Sequence, residues 1–546
     1  MSDGGELQKN GLVVEEAIAA AAAQDYDRAG EIARSAIANG VVHPVLLNLR
    51  SYWHERNGRL GAALADLEHA RALAPGDATI LNALGLCYEK LGRMREALEA
   101  FRSAASADSG FAAAHVNLGR LCEWAGRPRE ARESYTAALK LGHNVQFHLA
   151  ALAAREADWT RARAHAGQAL AIDPRLGAAE LVLAEAEIGE RDFACAAGRL
   201  ERVLNDASLT EPDRATAFCL LGDAYDGMDR TDAAFSAYAT GNAALRECHA
   251  ARFANPSVET MRDYVERLIR HFEALGKDDW VASDTGAAGN ENGAASQVFL
   301  VGFPRSGTTL IEAVLARHAD VVTTQEQDGL ADGVADLLAT RAGLERLTAL
   351  RGGGLAKYRR SYWRRLADSG IAVRGKLLVD KQPYNSIALP LIAKLFPEAR
   401  ILFCIRDPRD VVFSCFRRRF VLNASNFQLL DIVDAANFYD GVMRLIACYR
   451  ARIPLRLHEA RHESIVADFL PRMHEICDFA GLRWNPEMAD FENGPQDRPM
   501  LTPSNRQLGQ GLSASGIGGW RRYRAFLAPI LPILQPWVEA FGYPPD

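Results

Sequence analysis

Along the first 250 residues the apolar positions recur at helical spacing, and the pattern itself repeats. Gly58, Gly92 and Gly126 stand 34 residues apart. Ala29, Ala63, Ala97 and Ala131 keep that interval, as do Leu67, Phe101 and Tyr135, and Ala70, Ala104 and Ala138. Gly85 and Gly119 form a further pair in register. A period of this length with small residues at fixed points predicts paired helices stacked into a solenoid. The Gly closes the first helix of a pair, the Ala positions let two helices approach, and the bulky residue is expected to fill the gap beneath the next repeat. About seven units fit between residues 12 and 250. The register shortens near Leu141–Phe147 and lengthens near Asn205–Asp213.

The pattern then changes. Val258–Leu275 has helical periodicity and reads as a bridging helix, and Asp284–Ser296 is small, polar and Gly-rich, as a flexible linker is. Beyond it, short apolar runs of strand character alternate with helical ones. Val298–Val301 precedes a helix to about Arg317, Lys376–Asp380 a helix over Ile387–Leu395, and Arg400–Ile405 a helix from Asp410 to about Phe420. Wholly apolar strands separated by helices imply a parallel sheet covered on both faces. The expected division is a tail over 1–11, the solenoid over 12–250, bridging helix and linker over 251–296, and an α/β domain over 297–546.

Ligands of such sheets lie beyond the carboxyl ends of the strands, and each of the three predicted strands ends on a cation: Arg305, Lys381 and Arg406. The first ends in a loop bounded by Gly302 and Gly307, ahead of a helix-compatible run, which is the layout of a phosphate cradle. The spacing matches the nucleoside-triphosphate loop G-x-x-x-x-G-K-[ST] except that Thr308 stands where the Lys belongs. The loop's cation is Arg305, three residues earlier. An anion site is expected, but not one for ATP with magnesium.

Composition narrows the classes. Hydrophobic residues make up 49% and charged ones 24%, and the net charge of -6 gives no global field favouring nucleic acid. No apolar run approaches a membrane span, and the first residues lack a secretory pattern. The nine cysteines include no C-x-x-C, which suits reduced thiols and a cytoplasmic location better than disulfides or zinc.

The repeated positions resemble the tetratricopeptide repeat family, including its Leu-Gly-x-x-Tyr step at Leu84–Tyr88. Pro304-Arg-Ser-Gly-Thr-Thr-Leu310 resembles the 5′-phosphosulfate loop of the sulfotransferases, and Ile405-Arg-Asp-Pro-Arg-Asp-Val-Val-Phe-Ser414 their 3′-phosphate motif. The likeness covers about 297–545 and is nearest to the protein-tyrosine sulfotransferases and their bacterial relatives fused to tetratricopeptide repeats. It implies an all-α tetratricopeptide-repeat solenoid followed by an α/β, P-loop-like sulfotransferase domain with a parallel sheet. It also implies a donor, 3′-phosphoadenosine 5′-phosphosulfate (PAPS), used without a metal, which leaves the missing loop lysine no task.

The same resemblance assigns roles. Ser306, Gly307, Thr308 and Thr309 would cradle the 5′-phosphate with Arg305 beside the sulfuryl group, while Arg406, Ser414 and Arg418 would hold the 3′-phosphate. Glu326 falls at the general base, with Gln325 where the family has Gly or Glu. Lys381 falls at the lysine that steadies the leaving phosphate. Ser504, in Thr502-Pro-Ser-Asn-Arg-Gln507, matches a Ser-x-x-Gln loop supplying a second stabiliser. Two positions depart from the family: His462 replaces a donor-contacting tyrosine, and Gly519 a lysine before a late tryptophan. His318 matches a family position but reads as structural. The acceptor the resemblance implies is a hydroxyl, that of a protein or peptide tyrosine presented by the repeats, with carbohydrate and lipid hydroxyls open. The alternatives are a repeat scaffold carrying an inactive transferase-like domain, or a P-loop kinase or hydrolase, against which Thr308 weighs.

Overall fold

A computed structural model describes residues 3–205, 209–254, 259–276, 279–280, 293–493, 512–514 and 516–545, with side chains from residue 10 onward. The linker residues 281–292 and Ser504 lie outside the described residues. The chain divides into two compact units, Met1–Val182 and Leu183–Asp546.

In the first unit successive helices pack in pairs, among them Pro44–Arg56 with Leu60–Leu73, Ala78–Lys90 with Met94–Ala107, and Ala112–Trp124 with Pro128–Lys140. Gly58, Gly92 and Gly126 lie just past the first helix of each of these pairs with φ of 70°, 74° and 69°, the left-handed conformation a helix terminus favours. Ala63, Ala97 and Ala131 are fully buried where the helices meet. The bulky residue has a partner the pattern did not name: Phe101 lies over Gly85, and Tyr135 over Gly119, inside the same helix pair. A Cβ at Gly85 would fall 2.4 Å from the Phe101 ring.

The second unit begins with further helices of this kind, ending in Glu211–Gly227 and Thr231–Phe253, which pack on each other. The expected bridging helix is Met261–Glu273, and its apolar stripe (Val265, Leu268, Ile269, Phe272) is buried in the same core as one face of the sheet.

The sheet has five parallel strands: β1 (Ser296–Gly302), β2 (Val321–Thr323), β3 (Leu377–Lys381), β4 (Arg400–Ile405) and β5 (Arg456–Arg461), in the order β2-β3-β1-β4-β5. Side chains alternate along β1. Phe299 and Val301 join one core, Val298 and Leu300 the other, so both faces are covered. The sequence pattern missed β2 and β5, the two edges. β2 has only three residues, and β5 is polar along most of its length. The helix expected from Asp410 to about Phe420 runs Pro408–Phe416. Asp407 caps it, its Oδ1 accepting from the Arg409 amide at 3.0 Å, and Pro408 takes the first turn. Among the described residues no helix is long and apolar enough to cross a membrane.

Candidate functional site

The strand order decides what meets what. β1 is central, flanked by β3 and β4, so Lys381, Arg305 and Arg406 sit at the carboxyl ends of three adjacent strands. The edge strands extend the row, with Glu326 after β2 and His462 directly after β5. Read across the sheet, the row runs Glu326, Lys381, Arg305, Arg406, His462: base and lysine on one side, guanidinium groups on the other. None of the five adjoins more than two of the others in strand order, yet the chain separates them by up to 157 residues, between Arg305 and His462.

On the cationic side, the turn after β1 is held in an unusual backbone. Arg305 has φ of 70° and Gly307 φ of 102°. A Cβ at Gly302 would come within 2.8 Å of the Cys404 carbonyl, and one at Gly307 within 2.8 Å of His462 Nδ1. Both glycines are therefore required by close approach, and Gly307 also by conformation. Ser306, Thr308 and Thr309 are buried as the helix Thr308–Leu315 begins. Arg305 Nε donates to Ser414 Oγ at 3.1 Å, and Arg406 donates to the Arg305 carbonyl at 3.3 Å and to the Gly516 carbonyl. These bonds join the two predicted phosphate motifs.

A cleft of about 240 Å³ opens here, lined by Arg305, Gly307–Thr309, Arg406, Ser414 and His462, and also by Asp226, Arg417, Arg522 and Tyr523. Burial, with Arg418, Arg406 and Arg417 close by, lowers the proton affinity of Arg305 to about 9. Burial next to Arg406 and Arg305 keeps His462 neutral, its pKa lowered to about 3. Arg406 Nε and His462 Nδ1 are buried and have no hydrogen-bond partner among the described residues. Buried polar groups are ordinarily satisfied. An orphaned guanidinium N–H amid crowded cations fits an anion.

On the other side Lys381 is 2% exposed and lies between two carboxylates, Glu312 at 3.2 Å and Glu326 in closer contact. Its proton is held above the ordinary lysine range: burial opposes the charge, but Glu312 and Glu326 outweigh it. Glu326 has φ of 68° and Gln325 φ of 50°. The left-handed pair is clamped by the Glu326 amide donating to the Lys381 carbonyl at 3.0 Å and by the Lys381 amide donating to Thr324 Oγ1 at 3.0 Å. Glu312, which the sequence reading did not single out, is pushed up by burial. It sits mid-helix four residues after Thr308, where periodicity alone gives no sign that a carboxylate faces inward.

Arg418 is not on the cleft wall; it pairs with Asp223 at 3.4 Å, while its neighbour Arg417 faces the cleft and pairs with Asp226 at 3.0 Å. His318 Nδ1 accepts from the Asp320 amide at 3.1 Å, a turn-closing bond away from the cleft. Gly519 lines the cleft beside Asp410, whose carboxylate accepts from the Gly518 and Trp520 amides at 2.6 and 3.0 Å.

Residues 297–486 match the model of the sulfotransferase family, and residues 54–113 and 90–156 match models of the tetratricopeptide repeat. Protein-tyrosine sulfotransferase 1 of Danio rerio is 23% identical over 45% of this chain and 72% of its own length. A putative protein-tyrosine sulfotransferase of Caenorhabditis briggsae is 32% identical over 22% of this chain and 43% of its own. An uncharacterised Aquifex aeolicus protein is 23% identical over 62% of this chain, which spans 43% of that protein. A solved sulfotransferase domain from a Synechococcus olefin synthase is 20% identical over 44% of this chain and 90% of its own, with a TM-score of 0.31.

Proposed function

Starting from a chain that joins tetratricopeptide repeats to a sulfotransferase-family domain, we propose that it transfers a sulfuryl group from PAPS to a hydroxyl acceptor, a tyrosine of a protein or peptide bound by the repeats. The observation that carries this reading is the row of Glu326, Lys381, Arg305, Arg406 and His462 along one edge of the sheet.

In this reading the turn Arg305–Thr309 receives the 5′-phosphosulfate at a helix N-terminus. Arg406, through its buried Nε, which has no partner among the described residues, and Ser414, which already accepts from Arg305, receive the 3′-phosphate. Glu326 removes the acceptor's proton as its oxygen attacks sulfur, and the bond from sulfur to the phosphate oxygen breaks on the opposite side. Lys381, kept protonated by Glu312, takes up the charge that develops on the leaving phosphate. Lys381 now holds Glu326, so donor binding has to draw the ammonium towards phosphate and release the base. Ser504 keeps the role its motif implies, as a second stabiliser of that phosphate. No step requires a metal. The named activity of the vertebrate and nematode relatives supports the tyrosine acceptor.

Calorimetry with 3′,5′-adenosine bisphosphate, the spent donor, against 5′-AMP in EDTA tests the reading. The bisphosphate should bind much more tightly than AMP, and Arg406→Ala should abolish the difference. If neither nucleotide binds folded protein, the transferase reading fails.

A further inference from the structure

One residue lining the cleft, Asp226, comes from a part of the chain that the sequence places among the repeats. Three carboxylates, Asp223, Asp226 and Asp229, lie three residues apart at the end of the helix Glu211–Gly227 and just beyond it. They face three arginines from two distant segments. Arg418 pairs with Asp223 at 3.4 Å, Arg417 with Asp226 at 3.0 Å, and Arg522 with Asp226 at 3.0 Å and Asp229 at 2.8 Å. Tyr523 donates to Asp226 Oδ1 at 2.5 Å, and its ring packs on Phe413, with centroids 4.3 Å apart. Asp226 thus accepts from three groups that line the cleft, and it lines the cleft itself.

The need for such an anchor follows from the charges. Arg305, Arg406, Arg417 and Arg522 all line one cleft, and Arg417 and Arg418 depress the proton affinity of Arg305. Long side chains of like sign turn away from each other into water unless something fixes them. Asp226 opposes that tendency at Arg417 and Arg522, so the donor does not have to order them on arrival.

We infer that Asp226 is a positioning residue of the donor cleft: the last helix pair of the repeat region holds Arg417, Arg522 and Tyr523 in place for the nucleotide, so the donor site is built in part by the helical region. This rests on the reading of the cleft as the donor site.

The test uses the full chain, circular dichroism to confirm folding, and calorimetry with 3′,5′-adenosine bisphosphate. Asp226→Asn keeps the shape and removes the charge, and should weaken binding about tenfold. Asp226→Glu should recover most of the loss. Because Asp226 acts in part through Arg417, the double variant Asp226→Asn/Arg417→Gln should lose less than the two single losses combined. Tyr523→Phe, which removes one bond to Asp226 and strands no charge, should weaken binding by about threefold and serves if Asp226→Asn does not fold. Unchanged or tighter binding by Asp226→Asn, or additive losses in the double variant, would overturn the inference. A wild-type chain that does not bind the bisphosphate would instead defeat the donor-site reading before any variant is compared.

Discussion

At the scale of single residues, the site mixes groups whose charge the fold opposes with groups whose charge it protects. Asp380 shows the first kind. It is fully buried beside Lys381, accepts from Tyr362 Oη at 2.7 Å, and burial pushes its pKa up to about 7. The folded state therefore holds this proton more firmly than an unfolded chain, whose aspartates titrate near 4. The stability that Asp380 contributes is present in full below about pH 4 and is lost as pH rises towards about 7. Asp380→Asn mimics the protonated group at every pH. Thermal unfolding of the second unit, followed from pH 4 to 8, should fall less steeply in the variant, which should be the more stable protein at pH 8. Parallel curves would show that Asp380 does not carry that dependence. Lys381, one residue on, is of the protected kind, since the carboxylates around it favour its charge.

At the scale of elements, the sequence spoke most clearly where a local rule and a tertiary need coincide. The turn after β1, the apolar strands β1, β3 and β4, and the 34-residue period were legible because glycine, apolar run and interval each have a single structural use. The edge strands β2 and β5 were not, since one is three residues long and the other mostly polar. With them went the reason Glu326 and His462 stand at the two ends of one row. Glu312 and Asp226 stayed hidden for a different reason. Each is a carboxylate on a helix, and only the packing of distant segments turns it towards a cation. The repeat period fixed where the helices break but not which side chain fills which gap. Phe101 belongs to Gly85 of its own pair, and the ring is fully buried. Gly85→Ala should thus cost the first unit about 1–3 kcal/mol, because the ring cannot give way. Phe101→Leu, itself destabilising, should offset part of that loss when the two are combined. Urea unfolding of the four proteins measures this coupling, and strictly additive losses would rule out the contact as its cause.

At the scale of the whole molecule, the boundary that matters for the chemistry is not the Gly-rich linker. The core on one face of the sheet includes Ala234 and Tyr238 from the helix Thr231–Phe253 and Phe272 from Met261–Glu273. Asn242 Nδ2 donates to the Phe416 carbonyl at 2.7 Å in a buried setting, and the Phe235 ring stacks between Phe416 and Phe526 with centroids 5.5 and 4.6 Å away. A chain cut at the linker loses these contacts together with Asp226, exposing aromatic surface and leaving Arg417 without its carboxylate. A chain beginning at Asp173 keeps all of them, and it keeps the helix Gly177–Gly189 whole. The shorter truncation should therefore unfold in one cooperative step and bind 3′,5′-adenosine bisphosphate within about threefold of the full chain. A chain beginning at Gln297 should aggregate or fail to bind. Size-exclusion chromatography, thermal unfolding and calorimetry on the two truncations separate the outcomes. Should the chain from Gln297 fold and bind as the full chain does, the last helix pair is dispensable to the donor cleft, and the unit that folds around it is smaller than its packing implies.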